Sequence, residues 1–530
     1  MTPDTSIYEY ARQGLSMSRE KPALWFYGKG MTYGELFRRI DHAADHLAAL
    51  GVRRGTVVTI HLPNCPQAVM AVYAVAKLGG VCNMVHPQVP LEGLRENMAF
   101  TGSQILITGD HFSQCGEADF AEKLIFVSLA AHMGAGYGLA YRLKNRVKRP
   151  ERAVPFEKLE QSAPAAAQVP EQAALAEECA VYLHSSGTTG APKTVMHCHR
   201  ALNCWVENAK RFFRGRSLCG ETVLAALPLF HGSGLVMNVH QLLCGGGQLV
   251  LMARWSSREA THFIKRRRIT ILTGVPAVYQ TLLREPGFSG PRIRQIGDCF
   301  VSGDHVGEEL KRDFDARVGG GRHLFEGYGM TETVTACFSN GREHDRLPSS
   351  GYPLENCEIA VLSEDGVCRR TGAGELLVSS NTMMMGYWKD PEGTKATFLT
   401  WEGRRWLRTG DCGSIDANGY VYFQERLKNT IIHNGYNIFP SQVENVIRTL
   451  AEVREVCVVG VPDEARGTQT VRACVVLCEG TEPQRAEERI LSACARVLPR
   501  YAIPRQFRYL RELPRNRMAK IDRKALEELP

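Results

Sequence analysis

Apolar residues recur at helical spacing soon after the start of the chain. In "MTYGELFRRIDHAADHLAALGVRRGTVVTIHLPN", beginning at Met31, Leu36, Ile40, Ala44, Leu47 and Leu50 fall near the helical period and predict an amphipathic helix. A glycine-bounded turn follows, and the β-branched run "VVTIHL" at 57–62 predicts a short buried strand. "PQAVMAVYAVAKLGG" at 66–80 reads as a second helix closing on a glycine pair, and "QILITG" at 104–109 as another strand. Strands alternating with helices predict layered α/β sheets, largely parallel. Ligands of such sheets bind beyond the carboxyl ends of the strands, in glycine-rich turns.

The rhythm breaks at 133–152, "MGAGYGLAYRLKNRVKRPER". Six basic residues lie between Arg142 and Arg152, with Leu139, Leu143 and Val147 at i, i+4 spacing and Tyr137 and Tyr141 alongside. Two readings stand: a solvated surface helix packing one stripe, or a basic amphipathic segment (137–152) in weak contact with an anionic membrane surface. Residues 156–176, rich in Ala, Pro and Gln, read as a linker. A second boundary falls near "FQERLKNTIIHNGYNIFP" at 423–440, followed by mixed strand and helix patterns enough for a small α+β domain. The expected organisation is a large N-terminal domain over 1–425 and a small C-terminal domain over 426–530.

Composition narrows the class. A chain of 530 residues exceeds one compact core, and 44% hydrophobic with 23% charged residues is ordinary for a globular protein. The net charge of +8 is spread along the chain, which suits anionic ligands and not a nucleic-acid footprint. The 17 cysteines occur singly, without a CxxC pair or a Cys/His ladder, as expected of small buried hydrophobes in a reducing compartment. The first residues carry acidic groups and no apolar core of a signal peptide, and no apolar run reaches the ~18–20 residues of a membrane span. A cytoplasmic location is expected.

"HSSGTTGAPKTVMH" at 184–197 carries the chemistry. It leaves the buried strand "AVYLH", so it sits where a parallel sheet presents ligands. Glycines and hydroxyls in succession let backbone N–H groups converge on an anion. Ser185, Ser186, Thr188 and Thr189 can donate to phosphate oxygens, and Lys193 supplies a compact cation. The spacing is not that of a P-loop: Gly187 and Gly190 are two residues apart, and Lys193 lies three past Gly190.

This block is followed by "PLFHGSGL" (228–235), "YGMTET" (328–333), "RTGD" (408–411), "ERLKN" (425–429) and "MAKIDRKAL" (518–526). In order and spacing the motifs resemble the adenylate-forming superfamily of acyl-CoA synthetases, luciferases and peptide-synthetase adenylation domains. The resemblance runs from about residue 20 to the C-terminus. It implies attack of a carboxylate on the α-phosphate of ATP, release of pyrophosphate and transfer of the acyl group to a thiol, with ATP, Mg²⁺ and CoA as cofactors. It also implies that the C-terminal domain is mobile about a hinge near 426–429.

Residue by residue, the resemblance gives the segment from Ser185 and Ser186 through Gly187, Thr188, Thr189 and Gly190 to Lys193 to the β- and γ-phosphates. Tyr328 would stack on adenine beside Glu326 and Gly327, Thr331 would contact the α-phosphate and Glu332 would hold Mg²⁺. Asp411 and Arg426 would bind the ribose hydroxyls, and Lys520 would bridge the substrate carboxylate and the α-phosphate. Lys428 matches the pivot of the small domain, and Gly435 would line the pantetheine path. The chain departs from the pattern at Ala519 and Thr194, where glycine is usual, and at "VSGDHVGEEL" (301–310). It departs again at Asn429 and Ile432, which replace an acidic residue and a lysine.

Adenylation domains for amino acids carry an aspartate after the phenylalanine of the second motif; here Phe230 is followed by His231. A buried ammonium without a partner is costly, so a non-amino carboxylic acid is expected, fatty ahead of aryl. His231 matches the aromatic gate of acyl-CoA synthetases, and Gly232 and Gly234 leave room for a chain or ring. Free CoA is the expected acceptor, with a stand-alone enzyme loading a separate carrier protein as the alternative and a nucleotide-binding protein without catalysis behind both.

Overall fold

The computed structural model describes residues 2–13, 19–162, 166–185, 193–211, 217–303, 306–320, 323–341, 344, 346–433, 436–463, 468–515 and 521–529. The chain divides into two compact units, one of residues 1–359 and 378–407, the other of 360–377 and 408–530.

The helix written into the first apolar stripe runs Tyr33–Ala49. Thr32 caps it by accepting from the Glu35 amide, and Leu36, Ile40, Ala44 and Leu47 are all buried along one side. Pro66–Lys77 starts with a proline at its first turn and buries every residue but Lys77, as a helix between two apolar layers does. Among the described residues, two large sheets make the first unit. In the eight-stranded sheet, Cys179–Ser185, Val81–Met84, Val57–Ile60, Ile105–Gly109, Lys123–Val127 and Val154–Pro155 lie side by side and parallel. Lys193–Cys198 and then Gly386–Tyr387 extend it antiparallel beyond Cys179–Ser185. In the nine-stranded sheet the run from Pro22–Phe26 to Leu324–Gly329 is parallel, with antiparallel strands at both edges. The α/β architecture expected from the alternation is therefore the observed one.

Three stretches carry local detail beyond the sequence pattern. The segment at 156–176 opens with a short helix, Phe156–Leu159, that buries Phe156 and Leu159, and Glu160 accepts from His132 at 2.7 Å; it is only partly a linker. The basic segment forms the helix Ala135–Lys144, and Val147, beyond its end, packs against an apolar cluster around Leu94 and Phe126. Leu139 and Leu143 stay 62% and 67% exposed. The apolar stretch after Gly232 is wound as a π-helix over Gly234–His240, buried throughout, and such turns recur at functional sites.

In the second unit, Val453–Asp463 pairs antiparallel with Thr468–Leu477, which pairs parallel with Gln506–Tyr509. Val456 and Val458 face one apolar cluster with Ile447 and Ile490, while Cys457 and Val459 face another with Leu513 and Leu526. A sheet buried on both faces explains the near-continuous apolar runs "EVCVVGVP" and "VRACVVL".

Candidate active site

Cys179–Ser185 ends on Ser185, and the next strand begins at Lys193, its cross-strand partner. Ser186, Gly187, Thr188, Thr189 and Gly190 lie outside the described residues. The Lys193 ammonium sits 4.1 Å from the centre of the Tyr387 ring and 4.0 Å from Asp390 Oδ2. The Tyr387 hydroxyl donates to Glu332 Oε1 at 2.9 Å. Burial, then the Glu332 charge, pushes the Tyr387 phenol up, so it stays protonated and donates. One tyrosine thus joins the expected phosphate cation to the expected Mg²⁺ ligand.

Glu332 belongs to a short 3₁₀ turn, Thr331–Thr333, braced from several sides. His197 Nε2 donates to the Thr331 carbonyl at 2.7 Å, and the Met384 amide donates to the Glu332 carbonyl at 2.7 Å. Burial pushes His197 down to about 4, which keeps it neutral. The turn closes on Val334 at φ +66° and ψ −55°, where the Thr335 amide donates to the Thr333 carbonyl at 2.8 Å. A β-branched residue in this three-residue turn is strained, and strain of this kind gathers at functional sites. Gly232 packs directly on the Val334 carbonyl: a Cβ there would come far inside the 3.0 Å that real Cβ atoms keep. Gly234 packs in the same way on the Pro228 carbonyl. His231, half-buried, lies against Phe230 with ring centres 4.5 Å apart, and Phe230 lies 4.5 Å from His86.

Tyr328 stacks on Phe338 across the Leu324–Gly329 and Ala336–Ser339 pair, with centres 4.4 Å apart and planes 10° from parallel. This flat aromatic pair at the carboxyl end of a parallel strand fits a purine ring. Glu326 is buried and accepts from Lys311 Nζ at 3.2 Å, so its carboxylate holds the Glu308–Val318 helix; Gly327 pairs with Ser339. In the second unit Asp411 is 2% exposed and pairs across strands with Arg426, whose Nε lies 3.4 Å from Asp411 Oδ1. Glu425, buried beside them, accepts from the Arg426 amide at 2.9 Å and from Asn429 Nδ2 at 3.1 Å, so the Asn429 departure has a structural partner. Lys428 is exposed in the turn Leu427–Asn429. Gly435, Ala519 and Lys520 lie outside the described residues.

In the first unit Ser185 pairs with Lys193, Tyr387 links Lys193 to Glu332, and Gly232 packs on Val334 at the end of the Thr331–Thr333 turn, while His231 and Gly234 have other partners; in the second unit Asp411 pairs with Arg426. Tyr387, His197 and Val334 carried no signal in the sequence, because each acts through partners far away along the chain. Among the described residues no group of three or more His, Cys, Asp or Glu could hold a metal ion. A single buried carboxylate suits Mg²⁺, which keeps several waters and binds through one or two carboxylates plus substrate phosphates. Among the described residues no helix is long and apolar enough to cross a membrane.

Comparison with known proteins identifies the family. The model of the AMP-binding enzyme family matches residues 12–388, and that of the AMP-binding enzyme C-terminal domain matches 442–520. A long-chain-fatty-acid–CoA ligase of Bacillus subtilis is 28% identical over 99% of this chain and 95% of its own. A sulfoacetate–CoA ligase of Cupriavidus necator is 32% identical over 94% and 92%. The solved o-succinylbenzoate CoA synthetase of Bacillus subtilis, in complex with its acyl-adenylate intermediate, superposes with a TM-score of 0.80 at 26% identity, covering 98% of both chains. The chain belongs to the AMP-binding enzyme family, in the acyl-CoA synthetase branch of the adenylate-forming superfamily.

Proposed function

We propose that this enzyme is an AMP-forming acid–CoA ligase acting on a non-amino carboxylic acid, a fatty acid ahead of an aryl acid. The observation that carries this reading is the line Lys193–Tyr387–Glu332, which sets a cation and a metal-binding carboxylate beside Thr331. A carboxylate oxygen of the substrate attacks the α-phosphorus of ATP, the bond to the α–β bridging oxygen breaks and pyrophosphate leaves. The CoA thiol then displaces AMP from the acyl carbon.

Lys193, with the segment 185–193, takes the β- and γ-phosphates, and Thr331 donates to the α-phosphate. Glu332 would hold Mg²⁺ together with substrate phosphates, and the ion would supply positive charge against that building on them. Tyr328 takes adenine, with Glu326 and Gly327 shaping the floor, while Asp411 and Arg426 take the ribose. Lys520 bridges substrate carboxylate and α-phosphate, His231 gates the acyl site, and the small domain turns about Lys428 to bring Gly435 to the pantetheine arm.

One feature supports the choice of acid: no acidic side chain follows Phe230, so an ammonium would have no partner there.

The test is a CoA-ligation screen across fatty acids of graded length and a set of aryl acids, with pyrophosphate release followed with and without CoA. CoA-dependent turnover peaking at one fatty chain length is expected. Turnover that ignores CoA would favour the carrier-loading alternative, and turnover of amino acids alone would overturn the substrate class.

A weak membrane-surface contact fits the helix Ala135–Lys144, whose exposed Leu139 and Leu143 stand among Arg142, Lys144, Arg146 and Lys148 in a cytoplasmic enzyme. Arg149 and Arg152 donate to the Ala153 and Ala121 carbonyls. In a flotation assay the protein is expected to rise with vesicles containing anionic lipid and not with neutral ones; equal flotation would remove this reading.

A further inference from the structure

The departure at Thr194 has a partner. His184 and Thr194 face each other as cross-strand neighbours, in the register position next to the Ser185 and Lys193 pair. Thr194 Oγ1 lies 3.1 Å from His184 Nδ1. The other ring nitrogen, Nε2, lies 2.8 Å from Asn83 Oδ1 and 3.2 Å from Asn97 Nδ2. Asn83 is buried on Val81–Met84, and its Nδ2 donates to Thr59 Oγ1 at 2.9 Å and Asn97 Oδ1 at 2.7 Å.

These contacts assign the tautomer. Of the two contacts at Nε2 the shorter is to the Asn83 amide oxygen, which can only accept; it places the proton on Nε2, so Asn97 Nδ2, itself a donor, makes no hydrogen bond to the ring, and Nδ1 accepts the Thr194 hydroxyl. Burial pushes His184 down to about 4, so the ring is neutral at physiological pH and keeps this arrangement. The Trp388 amide donates to the Thr194 carbonyl at 2.8 Å, holding the same residue from the edge strand that carries Tyr387.

We propose that His184 and Thr194 are positioning residues: their side-chain hydrogen bond, backed by Asn83, keeps Ser185 and Lys193 in register at the two ends of the phosphate-binding segment. The inference rests on the assignment of 185–193 to ATP. Register matters here because a one-residue slip between strands turns every side chain to the opposite face, and Lys193 would then leave the Tyr387 ring. Glycine at 194 would leave Nδ1 without a donor. The chain has put its register pin on the strands.

Thr194→Val keeps the shape and removes the donor; Thr194→Ser keeps the donor. Loss of the hydrogen bond is expected to raise the calorimetric Kd for MgATP, and KM for ATP, about tenfold in the valine variant. KM for the acid should stay within about twofold, and the serine variant should bind MgATP close to wild type. His184→Ala is expected to show the same shift, and the double variant no more than either single one. Unchanged MgATP affinity in Thr194→Val, equal losses in the valine and serine variants, or an equal rise in KM for the acid would each overturn the proposal. A wild-type chain that bound no MgATP would instead remove the assignment to ATP. Amide exchange over 193–196 would then still decide the register pin, faster in the valine than in the serine variant if it holds, equal if it does not.

Discussion

Lys520→Ala is expected to abolish acid-dependent ATP–pyrophosphate exchange, by a factor on the order of 10²–10³ or more, while thioester formation from supplied acyl-AMP keeps most of its rate. The α-phosphorus gains negative charge as the carboxylate attacks, and a cation placed between the two oxyanions is worth most at that moment. Once the adenylate exists, the next step needs the thiol path and not that cation. The described residues on either side have contacts of their own. Ile521 bridges to Arg515, the Asp522 amide donates to the Pro514 carbonyl at 2.8 Å, and Asp522 caps Arg523–Glu527. Arg523 reaches the buried Glu444 at 2.9 Å and the Val458 carbonyl at 2.5 Å, and Glu444 also accepts from Arg448 and the Val458 amide. Both flanks of 516–520 are therefore held by contacts that Lys520→Ala leaves in place. Equal loss of both half-reactions would show that Lys520 serves the whole cycle and not adenylation.

Much of the architecture was written locally. The stripe Leu36, Ile40, Ala44 and Leu47 and the proline opening 66–77 needed only neighbours along the chain to become a capped helix and a buried one. The candidate phosphate segment stands out in the sequence because glycines, hydroxyls and a lysine stand together in ten residues. The site's second tier was not. Tyr387 meets Glu332 across 55 residues and Lys193 across far more, and only the pairing of a two-residue edge strand brings it there. His197 looks like any histidine in a strand until its Nε2 finds the Thr331 carbonyl. Phe156 and Leu159 were hidden in an Ala/Pro/Gln-rich stretch, where composition outweighs two buried side chains. Local pattern shows which residues have the chemistry; tertiary contacts decide which of them are aimed.

Gly232→Ala is the substitution expected to separate aiming from chemistry. It adds one methyl and removes no functional group, yet that methyl would overlap the Val334 carbonyl oxygen, a backbone atom with no rotamer to escape through. Val334 cannot yield easily. It sits at φ +66° between Thr333, whose hydroxyl donates to the Thr335 carbonyl at 2.8 Å, and Ala336, whose carbonyl is held by Trp205 Nε1 at 3.2 Å. The clash must then move either the 228–235 segment with His231, or the turn that carries Thr331 and Glu332. Overpacking of this kind costs about 1–3 kcal/mol of stability, and a shift near 1 Å in positioned groups costs about 10²-fold in rate. Thermal unfolding and kcat/KM measured together are expected to show a modest fall in Tm with a hundredfold loss of activity. Gly116→Ala, with open space around its Cβ, should change neither. If Gly232→Ala kept the wild-type Tm and rate, the glycine would be shown not to set the spacing between the 228–235 segment and the Thr331–Thr333 turn, since the two could then part without consequence.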